Sequence, residues 1–131
     1  MTDKPAESDC PRDPILRVVP RPADINAYGH IFGGWVLSQM DIAGGIVAGR
    51  VAQGAVATVA IETMEFIAPI LLRDIISLYA HVERRGRTSL AIRIEVIATR
   101  DGGRTEERVT EGVFTFVALD ENHRPRALPP A

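Results

Sequence analysis

A single cysteine, Cys10, in 131 residues excludes an intramolecular disulfide. The sequence has no CxxC pair and no Cys/His cluster to mark a metal site. It also lacks a basic excess. Lys+Arg number 15 against 17 Asp+Glu, for a net charge of −2 and a pI of about 5.9, so nothing is set up to neutralise nucleic-acid phosphates. Lys4 is the only lysine, and base composition explains that bias more cheaply than phosphate binding does. No signal peptide is visible, because Met1 to Pro14 is polar and has no apolar centre. The longest apolar stretch is broken by Gln39 and Asp41 and falls short of the ~20 residues that cross a bilayer. The expectation is a cytoplasmic protein with no membrane and no nucleic-acid partner.

What is present is enough apolar residue, 46%, to fill the core of one domain. Residues 1–14 read as a disordered leader and residues 15–131 as a single domain. Ile15 to Val19 predicts a short strand stopped by Pro20 and Pro22. Residues 20–32 form a polar loop carrying Asp24, Asn26, Gly29 and His30. A helix follows from Phe32 to Arg50. Gly44 and Gly45 inside it each cost ~1 kcal/mol against alanine, which points to a sheet packed closely on the helix.

Four strand-like segments come next: Val56 to Ile67, Ile75 to Val82, Ser89 to Thr99 and Glu107 to Leu119. In the third, Leu90, Ile92, Ile94, Val96 and Ala98 alternate with Ser89, Arg93, Glu95 and Thr99, the period of a half-buried strand. Breaks fall at Gly54, Ala68-Pro69, Gly86 and Asp101-Gly102-Gly103, the last a hairpin signal. The tail from Glu121 reads as irregular. Short connections favour antiparallel pairing. The order predicts an α+β domain, with one long helix wrapped by a curled antiparallel five-stranded sheet, not a βαβ fold. A helix apolar on nearly every side also calls for a second covering surface, hence self-association.

Asp41 is the only charged residue in the apolar run Gly33 to Gly49. A buried carboxylate is costly unless paired, hydrogen-bonded or neutralised. Two explanations compete: chemistry, or a carboxylate tied off by a neighbour such as Ser38.

The stretch ADINAYGHIFGGWVLSQMDIAGGIVA, followed by TMEFIAP, GRTS and RPRALP, resembles the hotdog-fold acyl-CoA thioesterases, in particular their YciA-like branch. The resemblance runs from about Ile15 to Pro129. It implies hydrolysis of acyl-CoA to a fatty acid and CoA without metal or organic cofactor. It implies that the helix aspartate, here Asp41, and the loop asparagine, here Asn26, come from different protomers of at least a homodimer, with a tetramer or a trimer of dimers as larger forms.

The chemistry can be set beside that resemblance. A carboxylate can deprotonate the attacking water as general base, with Asp41 in that part. Direct attack by Asp41 to give an anhydride is equally compatible with the sequence. Gly33 and Gly34 leave the free N–H groups of the helix start open to a carbonyl oxygen, an oxyanion hole of the helix-terminus type; a tight turn into the helix is the plainer use. Asp41 lies seven positions after Gly34, on about the same helix face. Asn26 can orient the thioester or close an Asx-turn. His30 can act as a base or bind the substrate, or merely tie the loop. Tyr28 is a possible acyl contact. The turn Glu83 to Ser89 offers Arg85, Gly86, Arg87, Thr88 and Ser89 to the CoA phosphates, against the commoner role of a solvated charged hairpin. Arg124 and Arg126 are weaker candidates, and Trp35 reads as core or interface. Counted as helix, Asn26 lies ~20 Å from Asp41, too far to share a thioester within one chain unless the loop folds back. Two other functions fit less well. A hotdog enoyl-CoA hydratase would use Asp24, Asn26 and His30 and leave Asp41 idle. A non-catalytic acyl-CoA-binding module would need only the pocket.

Overall fold

The computed structural model describes residues 13–131, so most of the expected leader lies outside the described residues. Strand β1 (Leu16–Val18) leads through a loop with a short 3-10 turn, Pro22–Asp24, into helix α1 (Gly33–Ala52). Four strands follow: β2 (Val56–Phe66), β3 (Ile75–Arg85), β4 (Ser89–Arg100) and β5 (Thr105–Ala118). All pairings are antiparallel, in the order β1-β3-β4-β5-β2, and the sheet does not close. This is the expected α+β architecture, with β1 and β2 as its edges.

The boundaries have local causes. Helix α1 runs two residues past Arg50 and ends where Gln53 turns into the left-handed region at φ 56°. The β4–β5 connection is the expected tight turn, with positive φ at Asp101, Gly102 and Gly103. In β4 the alternation holds on the apolar side, where Leu90, Ile92, Ile94 and Val96 are buried. On the polar side Glu95 departs from the expected exposure. It is buried, with Arg108 closing over it at 3.4 Å in a group that includes Arg93, Glu83 and Glu111.

The core lies between α1 and the sheet. Val36, Met40, Ala43, Gly44, Ala48 and Ala52 form the buried stripe of the helix. A Cβ on Gly44 would sit 2.9 Å from the Phe116 ring and 3.0 Å from Ile94, so this glycine does permit the close approach. Gly45 does not serve that purpose, since its Cβ would make only ordinary contact at 3.8 Å.

Burial on all sides of the helix is not achieved within one chain. Leu37 is exposed and Ile42 is 50% exposed. The adjoining edge strand β2 continues this uncovered apolar surface, with Val59 at 55% and Ile61 and Phe66 also exposed. An exposed apolar edge strand of this length invites pairing with another chain.

Candidate active site

Asp41 sits two turns into α1, half-buried at the seam with β2. Its Oδ1 accepts a hydrogen bond from Thr58 Oγ1 at 2.5 Å. Ser38 is not the tying donor, because its hydroxyl donates to the Trp35 carbonyl at 2.7 Å, one turn back. Among the described residues Asp41 has no ion-pair partner and Oδ2 has no donor. One carboxylate oxygen is therefore held and the other is free, beside an apolar surface that this chain leaves open.

The loop before the helix folds back on itself. Ile25 and Ile31 form a single antiparallel bridge, and the Phe32 N–H donates to the Asp24 carbonyl at 3.0 Å. Asn26 through His30 form the tip. Asn26 Oδ1 accepts from the backbone N–H groups of Tyr28 at 2.8 Å and His30 at 3.1 Å, while its own N–H donates to the His30 carbonyl at 2.7 Å. Gly29, at φ 83°, lets the chain turn. The expected Asx-turn is present. It also fixes the amide, since two N–H donors identify the bound atom as oxygen and leave Nδ2 without a partner among the described residues. The structural and the functional use of Asn26 are thus compatible. Because the loop doubles back, the ~20 Å count does not apply; the nine residues from Phe32 to Asp41 set a separation of roughly 13 Å along the axis.

Asp24 is consumed locally. Its carboxylate accepts from the Arg21 N–H at 2.8 Å and from the Arg21 guanidinium at 3.3 Å. The Arg21 side-chain hydrogen bond, then its backbone N–H, holds the Asp24 pKa below the usual carboxylate range. An Asp–His pair of the hydratase kind is not assembled, and that alternative loses its acid.

At the helix start no side chain caps α1, and the Gly33 and Gly34 N–H groups have no partner among the described residues. A Cβ on Gly33 would crowd the Phe66 ring at 3.3 Å, whereas one on Gly34 would meet nothing within 4 Å. Packing within this chain does not require glycine at position 34. Its smallness leaves space beside a free N–H at the positive end of the helix. Gly33, Asn26 and His30 line one side of a cleft of about 360 Å³, with Val36, Ile67 and Ile70 among its apolar walls. His30 is exposed at its rim, and Tyr28 stands out in solvent.

Asp41 does not line this cleft. Phe66 marks the cleft end of β2 and Thr58 the Asp41 end; along α1 the cleft residue Gly33 and Asp41 are eight residues, roughly 12 Å, apart. The Arg85–Ser89 turn belongs to the Asp41 end. Leu90 pairs with Phe116, and Phe116 with Thr58, so the turn lies two strand spacings, about 10 Å, from the aspartate's partner. Within the turn, Arg85 Nη2 donates to the Pro129 carbonyl, Gly86 N–H to Ser89 O at 2.8 Å, and Ala118 N–H to Thr88 O at 2.9 Å. Arg87 is exposed, with no side-chain partner among the described residues. Arg124 is exposed in the tail, and Trp35 packs half-buried against the core.

One chain therefore carries donors and a cleft at one end, and a carboxylate with a cationic turn at the other. The model of the thioesterase superfamily matches residues 28–104, which span the loop from Tyr28, the helix and strands β2 to β4 as far as the β4–β5 turn. The chain belongs to that superfamily. It is 45% identical over 121 residues to the acyl-CoA thioester hydrolase YciA of Escherichia coli K12, covering 89% of this chain and 91% of that protein. It is similar to a hexameric thioesterase of Yersinia pestis (44% identity, 92% and 98% of the two chains, TM-score 0.85). It is likewise similar to a hexameric hotdog-fold thioesterase of Campylobacter jejuni (34% identity, 89% and 90% of the chains, TM-score 0.84). The fold is the hotdog fold, and the two solved relatives from Yersinia pestis and Campylobacter jejuni are hexameric. Among the described residues no group of three or more His, Cys, Asp or Glu could hold a metal ion, and no helix is long and apolar enough to cross a membrane.

The aspartate, the asparagine and the glycine pair stand out in the sequence. Thr58 does not. A threonine in a strand is ordinary, and only the register of β2 against α1 brings its hydroxyl to Asp41.

Proposed function

We propose that this chain is an acyl-CoA thioester hydrolase, releasing a carboxylic acid and CoA, with each working site shared by two copies. The observation that carries this reading is the split itself. The free oxygen of Asp41 and the free donors of Asn26 and Gly34 lie at opposite ends of an uncovered apolar seam. A two-fold axis across the edge strand β2 pairs it antiparallel with its copy, as an isologous contact must. The Thr58 end of one protomer then meets the Phe66 end of the other. Asp41 is brought to the partner's cleft, twice per dimer. A hexamer as a trimer of such dimers is the assembly favoured by the relatives named above, over a tetramer.

In this site Asp41 takes a proton from water as the water oxygen attacks the thioester carbon. The oxyanion is met by the partner's Gly34 N–H, with Gly33 beside it, and Asn26 Nδ2 orients the carbonyl. Collapse expels the CoA sulfur, which takes the proton, and the acid leaves. In the anhydride route Asp41 Oδ2 attacks the thioester carbon and expels the CoA thiolate, and water then hydrolyses the mixed anhydride to release the acid, restore the carboxylate and protonate the thiolate. His30 lines the acyl entrance. Arg85, Gly86, Arg87, Thr88 and Ser89 receive the CoA phosphates, with Arg87 the leading cation. The reading uses no cofactor, and a cytoplasmic location goes with it.

Free-thiol release from acetyl-, hexanoyl-, palmitoyl- and aryl-CoA tests the activity, and saturable binding without turnover would make the chain a binding module. Subunit exchange tests the sharing. Inactive Asn26→Ala and Asp41→Ala proteins, mixed and exchanged, should regain about one working site per hybrid dimer. Verified exchange with no recovery would mean that each site is built within one chain.

A further inference from the structure

The proposed CoA turn is closed by its own Gly86–Ser89 hydrogen bond and by Ala118 on Thr88, and the C-terminal tail adds the bonds that reach Arg85 and Arg87. Leu128 N–H donates to the Arg87 carbonyl at 2.8 Å, and the Pro129 carbonyl accepts from Arg85. Beside the Leu119–Pro125 bridge and the packing of Leu128 on the core, one long side chain ties the tail to the helix. Arg126 Nη2 donates to the Ala52 carbonyl at 2.7 Å and its Nε to the Leu119 carbonyl at 2.9 Å, while its backbone N–H donates to the Ala118 carbonyl at 2.9 Å. Ala52 is the last residue of α1, where carbonyls lack intrahelical partners and a cation is favoured. The space for this guanidinium is kept by Gly54, where a Cβ would come 2.8 Å from Arg126 Nη2. Arg126 is thus bonded to the end of the helix and the end of β5. Two and three residues further on, the same tail reaches the turn that carries Arg87.

We propose that Arg126 is a positioning residue for CoA recognition: by clamping the tail to Ala52 and Leu119 it fixes the backbone of Arg87 and hence where that cation meets the phosphates. The guanidinium itself is occupied with protein carbonyls and does not touch substrate. The inference rests on the assignment of the Arg85–Ser89 turn to CoA made above.

Kinetics on two substrates separate the possibilities. One is an acyl-CoA; the other is the N-acetylcysteamine thioester of the same acid, which has the thioester and no phosphates. Arg126→Ala should raise the KM for acyl-CoA about fivefold or more with kcat little changed, and leave kcat/KM for the short thioester as in the wild type. Gly54→Ala, which changes no residue of the tail or the turn, should do the same by displacing the guanidinium, and it serves where Arg126→Ala fails to fold. The double variant Arg126→Ala/Arg87→Ala should be no worse than Arg87→Ala alone, because the clamp acts through that cation. Equal losses on both substrates would make Arg126 a stability residue only, and additive losses in the double variant would also overturn the proposal. If Arg87→Ala raises KM while Arg126→Ala and Gly54→Ala do not, the clamp alone is wrong. If Arg87→Ala leaves KM unchanged, the turn is not the CoA site and the proposal falls with it.

Discussion

Replacing Asp41 by asparagine isolates the proposed base. Asparagine keeps an oxygen where Oδ1 accepts from Thr58, so the 2.5 Å contact between α1 and β2 survives. The other oxygen, which has no donor among the described residues, becomes an amide in a half-exposed place and can be solvated. Folding stability should therefore change by less than ~0.5 kcal/mol, as for a surface substitution. Catalysis should not survive in the same way. General-base assistance is worth about 10²–10⁴ in rate, or ~2.7–5.4 kcal/mol at 1.36 kcal/mol per decade. The structure adds a graded control. Thr58→Val removes the donor that orients the carboxylate and leaves the carboxylate; a partly exposed hydrogen bond to a charged group is worth ~1.5 kcal/mol, so kcat should fall about tenfold. Both are read as initial rates of thiol release at saturating acyl-CoA, with thermal melts run in parallel. A folded Asp41→Asn protein turning over at the wild-type rate would refute the assignment. A Thr58→Val loss as large as that of Asp41→Asn would show that the hydroxyl is as essential as the carboxylate and not merely its orienting donor.

Arg85→Ala/Arg87→Ala should raise KM for acyl-CoA with kcat nearly unchanged, and the penalty should shrink between low and high salt because these charges are exposed; an unchanged KM would leave the turn a plain hairpin. Gly34→Ala should lower kcat by about 10²–10³ by filling the space at the oxyanion donor, with no loss of melting temperature, since its Cβ meets nothing within 4 Å. Gly44→Ala should do the opposite: it should destabilise by about 1–3 kcal/mol through the 2.9 Å clash with Phe116 while the protein that remains folded stays active. Asp24 has its pKa lowered by hydrogen bonds from Arg21, and Glu62 by the Thr115 hydroxyl and then Arg84. Their stabilising contributions are present above the unfolded carboxylate value near ~4 and disappear as pH falls through the lowered values. Denaturant midpoints taken from pH 6 to pH 3 should therefore fall less for Asp24→Asn than for the wild type.

The parts of the fold legible in the sequence are those where one face of an element meets one environment. In β4 the apolar positions Leu90, Ile92, Ile94 and Val96 all face the helix, and the period of two shows through. Helix α1 was harder to interpret. Its apolar residues form two faces, one buried on the sheet through Met40 and Ala48 and one left open through Leu37 and Ile42. Composition alone merges these into a helix buried on every side. Strand β2 was visible as a strand but not as an edge. Edge position follows from the order β1-β3-β4-β5-β2, which depends on long-range pairing that no local pattern encodes. Glu95 misled for a related reason: its burial depends on Arg108, thirteen residues on and one strand over.

For the site, residue types were legible and their grouping was not. Asp41 stood out as a charge in an apolar run, and Gly33-Gly34 as a pair at a helix start. Their spacing of seven suggested one shared face, but the same count is also a distance, about 10 Å along the axis at 1.5 Å per residue. Facing the same way does not make two groups meet. The cleft has Asn26, His30 and Gly33 on its lining, while Gly34 lies next to it and Asp41 further along the helix. Gly34 carries the argument one step further. The open space beside its N–H, where a Cβ would meet nothing within 4 Å, calls for something outside the chain, either the substrate or a second copy. The free oxygen of Asp41 makes the same demand from the other end of β2. On the proposed reading neither half-site is complete in one chain, and a two-fold axis across β2 is the simplest operation that supplies each with what it lacks. Self-association then belongs to the catalytic mechanism itself, and dilution below the dimer dissociation constant should abolish turnover even though each protomer keeps its fold.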